Sequence, residues 1–238
     1  MVFAAGLGTR LQPLTDSMPK AMVKVQGKPL LHYAIQNVLK AGATRIVVNV
    51  HHFPRQIIDY IGQLHVREAE IFVSDETDML LETGGGLLKA APLFIPGKPI
   101  LVHNADVLTN CNLSHLVAFH RQRNAMATLM VAHRDTQRYM LFDPVSSMLK
   151  GWINTQTGQL KGVVSPENYN YMAFNGIHLI DFGLLDLLGE VRKFSITDGY
   201  LQLANTLPIV GWSQWEGQWY DVGTLEKLRL AEHDFYQL

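Results

Sequence analysis

A single cysteine, Cys111, stands in 238 residues, so neither an internal disulfide framework nor a cysteine-rich zinc site is available. That usage is expected of a reducing cytosol, and the chain is expected to be cytoplasmic. No apolar run is long enough to cross a bilayer, and no signal-peptide pattern stands at the amino end. Neither sign of charge dominates. Twenty basic and 21 acidic side chains leave a formal net charge of −1, which excludes a global field for nucleic acid or an anionic membrane. Any cationic function is therefore local. Repeats, low-complexity tracts and linkers are also missing, and with 47% hydrophobic residues a single domain over residues 1–238 is expected.

What is present is an alternation of short apolar runs with helical patterns. Val2–Ala5, Arg45–Val50, Glu70–Ser74 and Pro99–Asn104 have strand length and little polar alternation, as parallel strands covered on both faces do. Helices are predicted between them at Leu30–Lys40, Pro54–Leu64 and Gly84–Ala91, with Gly42 at a helix end and Pro54 in a first turn. Repeated strand, helix, strand implies right-handed crossovers and a Rossmann-like α/β fold with a doubly wound, mostly parallel mixed sheet. Val2–Ala5 is short for a central strand and opens the sequence, which leaves open whether native residues precede Met1.

The second half reads differently. A helix at Leu113–Arg123 precedes strand-like Ala127–His133, Tyr139–Phe142, Met148–Asn154 and Gln159–Val164, with a turn at Asn154–Gly158, as in a small antiparallel insertion. A long strand, Tyr171–Ile180, then leads to helices at Phe182–Glu190 and Asp198–Thr206. Strands at Pro208–Trp212 and Gln218–Asp221 and a helix at Leu225–Tyr236 complete the pattern.

The most informative segment is Ala4-Ala-Gly-Leu-Gly-Thr-Arg-Leu-Gln-Pro-Leu-Thr15, with Pro19-Lys20 shortly after. Gly6 and Gly8 follow the first strand, where a backbone without Cβ can approach a phosphate and turn N–H groups toward it. A plain strand-to-helix turn would need the same glycines. Position 11 is Leu rather than the third Gly of the dinucleotide fingerprint, and there is no Gly-Lys-Ser/Thr phosphate loop. Arg10 offers a planar fork for phosphate oxygens, and Lys20 a compact charge. Two reacting phosphates repel by about 4 kcal/mol per unit-charge pair at 4 Å for an effective dielectric near 20, which fixed cations could offset.

Ala4–Lys20, continuing through Val25-Gln-Gly-Lys-Pro-Leu30, resembles the signature of the sugar nucleotidyltransferases, also called nucleoside-diphosphate-sugar pyrophosphorylases. The resemblance covers nearly the whole chain. It implies transfer of a nucleotidyl group from a nucleoside triphosphate to a sugar 1-phosphate, with Mg²⁺ and release of pyrophosphate. Ala5, Gly6, Leu7, Gly8 and Thr9 would bind the nucleotide, with Gly6, Leu7 and Gly8 on its phosphates, Arg10 would stabilise departing pyrophosphate, and Lys20 would bind the reacting phosphates. Nothing in the sequence remains for the left-handed β-helix that some members append.

Two carboxylates end short apolar runs, Asp106 in Ile100-Leu-Val-His-Asn-Ala-Asp106 and Asp221 in Gln218-Trp-Tyr-Asp-Val-Gly-Thr224. Hard oxygens on a rigid sheet suit Mg²⁺, whereas each Asp alone is equally a turn or cap residue. The family has an Asp at both places, so the resemblance makes Asp106 and Asp221 the metal ligands. Asn104-Ala-Asp106 stands where Gly-Asp is more usual. In Asp75-Glu-Thr-Asp-Met-Leu-Leu-Glu-Thr-Gly-Gly-Gly86, three glycines permit either close backbone contact or a hinge. The family places the base and ribose here, with Glu76, Thr83 and Gly84 as the candidates. Leu81–Gly86 is similar to the version in short bacterial muramate 1-phosphate uridylyltransferases and mannose 1-phosphate guanylyltransferases, which implies UTP or GTP.

Asn175 and Gly176 in Ala173-Phe-Asn-Gly-Ile177 match the strand that lines the sugar pocket. Many relatives carry Glu-Lys-Pro just before it. This chain has Lys161-Gly-Val-Val-Ser-Pro-Glu167, where Lys161 is either a displaced substitute for the sugar-phosphate lysine or an exposed strand-end residue. His51-His52 on a strand point to opposite faces and cannot jointly hold a metal. Trp212, Trp215, Trp219 and the methionines read as packing. Two alternatives stay open: a non-catalytic nucleotide-sugar-binding subunit, and a nucleotidyltransferase acting on a non-sugar phosphate. A homo-oligomer is compatible with all of them.

Overall fold

The computed structural model describes residues 1–236. Strand β1 (Val2–Phe3) leads into a loop of tight turns and a small hairpin, β2 (Lys24–Val25) with β3 (Lys28–Pro29). Then come α1 (Leu30–Lys40), β4 (Arg45–Val50), α2 (Pro54–Gln63), β5 (Glu70–Asp75), α3 (Glu82–Ala90) and β6 (Ile100–Asn104). Period-2 alternation sorts β4 between two cores. Ile46, Val48 and Val50 pack with Leu31, Ile35, Val38 and Ile57 on the α1/α2 side, while Val47 joins Leu87 on the α3 side. Gly42, at φ 90°, lets its N–H return to Leu39 and so ends α1, and Pro54 occupies the first turn of α2.

β1, β4, β5 and β6 are parallel and lie in the order β6-β1-β4-β5. The chain therefore winds outward from β1 through β4 to β5, then returns to lay β6 on the other side of β1. The carboxyl ends of β1 and β6 part at this topological switch point, which is where open α/β sheets bind ligands.

The rest of the chain gives β7 (Val107–Thr109), α4 (Ser114–Gln122), β8 (Ala127–Ala132), β9 (Arg138–Phe142), β10 (Leu149–Asn154), β11 (Leu160–Lys161) and β12 (Asn170–Ile180). After these follow α5 (Leu184–Leu188), α6 (Ile196–Leu203), β13 (Ile209–Trp212), β14 (Trp219–Asp221) and α7 (Leu225–Asp234). The antiparallel insertion extends the main sheet. β12 pairs with β6 through Ile177–Ile180 and with β9 through Asn170–Met172, so β11-β10-β9 extend the same sheet. Its pairing with β8 shifts register between Phe174 and His178, where Gly176 takes φ 76°.

Local differences from the sequence expectations have physical causes. Helix Phe182–Glu190 shrinks to Leu184–Leu188, bounded by Gly183 and by Gly189 at φ 85°. Gln159–Val164 keeps only Leu160–Lys161 as strand, because Gly162 turns at φ 82°. β7 pairs with β14, Val107 opposite Asp221, and joins two segments more than a hundred residues apart. Buried His103 ties β6 to α1. Its Nδ1–H donates to the Asn104 carbonyl at 2.9 Å, leaving Nε2 to accept from Asn37 at 3.3 Å, and burial pushes its pKa down to about 4, so the ring is neutral at pH 7. His51 contacts the Glu76 carbonyl and His52 lies against Phe53, a structural use of both rings.

Candidate active site

The chain leaves the β1 ladder after Phe3 because Asn49, at the end of β4, supplies the next partner. Its Oδ1 accepts from Ala4 N–H at 2.7 Å and Ala5 N–H at 3.3 Å. Gly6 and Leu7 follow, and their N–H groups meet no acceptor among the described residues. Gly8 is fixed twice over. It sits at φ 68°, and a Cβ there would come within 2.9 Å of both Lys20 Cβ and Thr15 Cγ2. Thr15 Oγ1–H donates to the Gly8 carbonyl at 2.9 Å, folding the loop back so that Lys20 stands behind the glycines.

Lys20 is buried, and its ammonium donates to Asp106 Oδ2 just past β6. The two meet in a cleft of about 360 Å³, lined by Ala4–Gly6, Lys20, Asn49, Glu76, Glu82, Thr83, Asn104–Asp106 and Ser195. That volume lies in the usual range for small-ligand sites. Lys20, Asp106, Ala5, Gly6, Glu76 and Thr83 are thus brought to one place from four segments. Arg10, Asp221, Asn175 and Lys161 are not among its lining residues.

The wall at the α3 end is built from close approach. Glu76 is fully buried, with Oε1 accepting from Asn49 Nδ2 at 2.7 Å and Oε2 from Leu81 N–H at 3.1 Å. Asn49 therefore links the loop after β1 to the segment entering α3. A Cβ on Gly84 would strike the Phe194 ring at 2.4 Å, one on Gly85 the Arg192 carbonyl at 2.0 Å, and one on Gly86 Glu76 Oε1 at 2.5 Å. Gly84 N–H donates to the Phe194 carbonyl at 2.9 Å, and Thr83 Oγ1 accepts from Ile196 N–H at 3.0 Å. Gly84 and Gly85 are a seat for residues 192–196, which places Ser195 at the cleft, while Gly86 makes room for the Glu76 carboxylate. Gly85→Ala is expected to cost about 1–3 kcal/mol and lower the thermal unfolding midpoint, since a backbone carbonyl cannot step aside as a side-chain tip can. An unchanged midpoint would show that this loop is not seated on α3.

Asp221 lies on the β7/β14 ribbon that also carries Asp106, and Val222 N–H donates to the Asp106 carbonyl at 2.9 Å. Cations surround it. Lys227 donates to Oδ2 at 2.9 Å, and a Cβ on Gly223 would meet Asp221 Oδ1 at 2.9 Å and Arg10 Nη2 at 3.1 Å, which puts Arg10 beside this carboxylate. Asn175 packs behind. Its carbonyl accepts from Trp219 Nε1–H at 3.0 Å and its Oδ1 from Arg134 Nε–H at 3.1 Å, while its buried Nδ2 has no acceptor among the described residues. A Cβ on Gly176 would come within 2.8 Å of Asn104 Nδ2, so this bulge presses on the segment leading to Asp106. Lys161 is engaged elsewhere, donating to Asp198 at 2.7 Å and lying over Trp152.

The donor set fits Mg²⁺. Asp106 and Asp221 are linked through one ribbon, and both side chains are 28% exposed, so their hard oxygens remain open to an ion that takes one or two carboxylates and completes its shell with water and phosphate. Among the described residues there is no cluster of three or more His, Cys, Asp or Glu that would favour a protein-only cage. No helix is long and apolar enough to cross a membrane among those residues. The sequence did not single out Asn49 or Arg134. Asn49 carries a signal, being the one amide in the apolar run Arg45–Val50, but Arg134 has none, because its partners are remote in sequence.

The nucleotidyl transferase family model matches residues 1–142. The chain is 30% identical over 235 residues to N-acetylmuramate alpha-1-phosphate uridylyltransferase of Neisseria meningitidis serogroup B, spanning 98% of this chain and 96% of that one. It is 28% identical over 234 residues to mannose-1-phosphate guanylyltransferase 1 of Arabidopsis thaliana, of whose length it spans 60%. UDP-glucose pyrophosphorylase from Acinetobacter baumannii superposes with a TM-score of 0.80 at 21% identity, covering 98% of this chain and 93% of that one, a likeness of fold.

Proposed function

The chain belongs to the nucleotidyl transferase family, and from that premise we propose that it is a Mg²⁺-dependent sugar 1-phosphate nucleotidyltransferase whose foremost substrate pair is UTP and N-acetylmuramate 1-phosphate. The observation that carries this is the meeting of the glycine loop, Lys20 and Asp106 at the sheet's switch point. An oxygen of the sugar phosphate attacks the α-phosphorus in line, the bond from that phosphorus to the β-phosphate's bridging oxygen breaks, and pyrophosphate leaves. No side-chain nucleophile is needed. The N–H groups of Gly6 and Leu7 are placed to hold the triphosphate, Lys20 to offset repulsion between the reacting phosphates, and Arg10 to stabilise the departing pyrophosphate. Asp106 and Asp221 would hold Mg²⁺, which neutralises phosphate charge when bound.

For base choice the acceptors that support the reading are Glu82 and Thr83 on the α3 wall, since fully buried Glu76, the acceptor the sequence offers for the base, already has both oxygens engaged. Glu76 holds Asn49 and Leu81 in place, and Glu82 and Thr83 line the cleft beside it. Uracil N3–H and guanine N1–H each offer a donor to such a wall, whereas adenine N1 presents a lone pair, and a site organised around that hydrogen bond rejects a base without it. Pyrophosphate release from UTP, GTP, CTP, dTTP and ATP against N-acetylmuramate, mannose and glucose 1-phosphates tests the proposal. Turnover is expected with UTP or GTP well above ATP. Equal rates with ATP would overturn the base assignment, and no turnover in any combination would overturn the enzymatic one. A non-catalytic sensor has less support, since Arg10, Lys20, Asp106 and Asp221 are all present. We place the protein in the cytoplasm, on the strength of its lone, buried cysteine.

A further inference from the structure

A sugar 1-phosphate is a dianion, and its binding next to a triphosphate calls for a cation of its own. Lys161 is held by Asp198 and Trp152. Arg134 is held quite differently. It lies two residues beyond β8, half-buried, with Nε–H donating to Asn175 Oδ1 at 3.1 Å and Nη2–H to the Phe174 carbonyl at 2.9 Å. Its guanidinium lies 4.4 Å from the centre of the Trp219 ring, and Trp219 is itself pinned to the Asn175 carbonyl.

Three features of this placement point to an anion. Among the described residues, two of the five N–H groups that an arginine carries have acceptors, so the fork is aimed while most of its donors remain. No carboxylate forms an ion pair with it among the described residues, although Asp221 is near enough to favour its charge against the burial that opposes it. A partly desolvated cation left in that state is costly until an anion joins it. Its supports are the Asn175–Gly176 bulge, which presses on Asn104, and β14, which ends in Asp221. Arg134 thus stands beside Asn175 and within electrostatic reach of Asp221, with a planar fork that suits phosphate better than a point charge does.

We propose that Arg134 receives the phosphate of the sugar 1-phosphate, the role for which the family resemblance offers Lys161, which here is paired with Asp198. This rests on the transferase reading above, so two measurements are needed. In pyrophosphate-release kinetics with UTP and N-acetylmuramate 1-phosphate, Arg134→Ala is expected to raise KM for the sugar phosphate at least about 10-fold, the loss of a charge-assisted hydrogen bond, with KM for UTP within about twofold. Arg134→Lys, which keeps the charge and loses the fork, should fall between. The second measurement needs no turnover: calorimetric binding of N-acetylmuramate 1-phosphate to the protein holding Mg²⁺ and a non-hydrolysable UTP analogue, where Arg134→Ala should weaken binding by the same factor. Unchanged sugar-phosphate binding, an equal rise in both KM values, or a selective KM rise in Lys161→Ala instead would overturn the proposal. Wild-type turnover, scored separately, judges the parent reading.

Discussion

Lys20→Ala is expected to cut turnover by at least ~100-fold and leave a folded protein. The alanine keeps the Cβ that packs against Gly8, so the loop retains its seat. What is lost is the ammonium beside Asp106. Two phosphate anions brought to about 4 Å repel by about 4 kcal/mol per unit-charge pair near a dielectric of 20, and removing one preorganised charge-stabilising group typically costs about 3–4 kcal/mol of barrier. Asp106 remains reachable by water through the cleft, its side chain being 28% exposed, so its unpaired charge need not unfold the chain. Arg10→Ala, on an exposed turn beside Asp221, should show a comparable loss in kcat through the departing pyrophosphate. The measurement is pyrophosphate release at saturating substrates together with a thermal melt. Near-normal rates in both variants would remove the phosphate-loop assignment.

Removal of divalent metal should be as severe. Excess chelator is expected to abolish turnover and Mg²⁺ to restore it. Asp106→Asn and Asp221→Asn should each raise the Mg²⁺ needed for half-maximal rate by about 10-fold or more, because a neutral amide oxygen is a poorer hard ligand than a carboxylate. Both carboxylates also anchor cations, Lys20 for one and Lys227 for the other, so each variant needs a melt to separate lost metal affinity from lost packing. Full activity in chelator would sink the two-carboxylate assignment.

Elements whose signal is local were legible. Leu30–Lys40 and Arg45–Val50 fall where the sequence predicts, because a sustained helical period and an unbroken β-branched run each leave one way to bury their apolar atoms. The glycine loop and Lys20 were legible for a related reason, since charge and absent Cβ atoms within twenty residues carry the signal. Val2–Ala5 has the pattern of a four-residue strand but pairs only through Val2–Phe3, because the N–H groups of Ala4 and Ala5 go to Asn49, a side chain far along the chain. β7 is not legible locally, because Val107-Leu-Thr109 has no period of its own and exists as a strand through β14.

The sequence by itself determined a parallel α/β core, a phosphate-suited loop at the end of its first strand and two carboxylates ending short runs. Only the tertiary structure decided what those groups face. It gave Glu76 to Asn49 and Leu81, made Gly84 and Gly85 a seat for Phe194 and Arg192, drew Lys161 to Asp198, and set Arg134 on Trp219 beside Asn175. The physical reason is range. Backbone periodicity and glycine conformation act within a few residues and are written locally, whereas ion pairs, stacked cations and sub-3 Å approaches depend on which remote segments the sheet brings together.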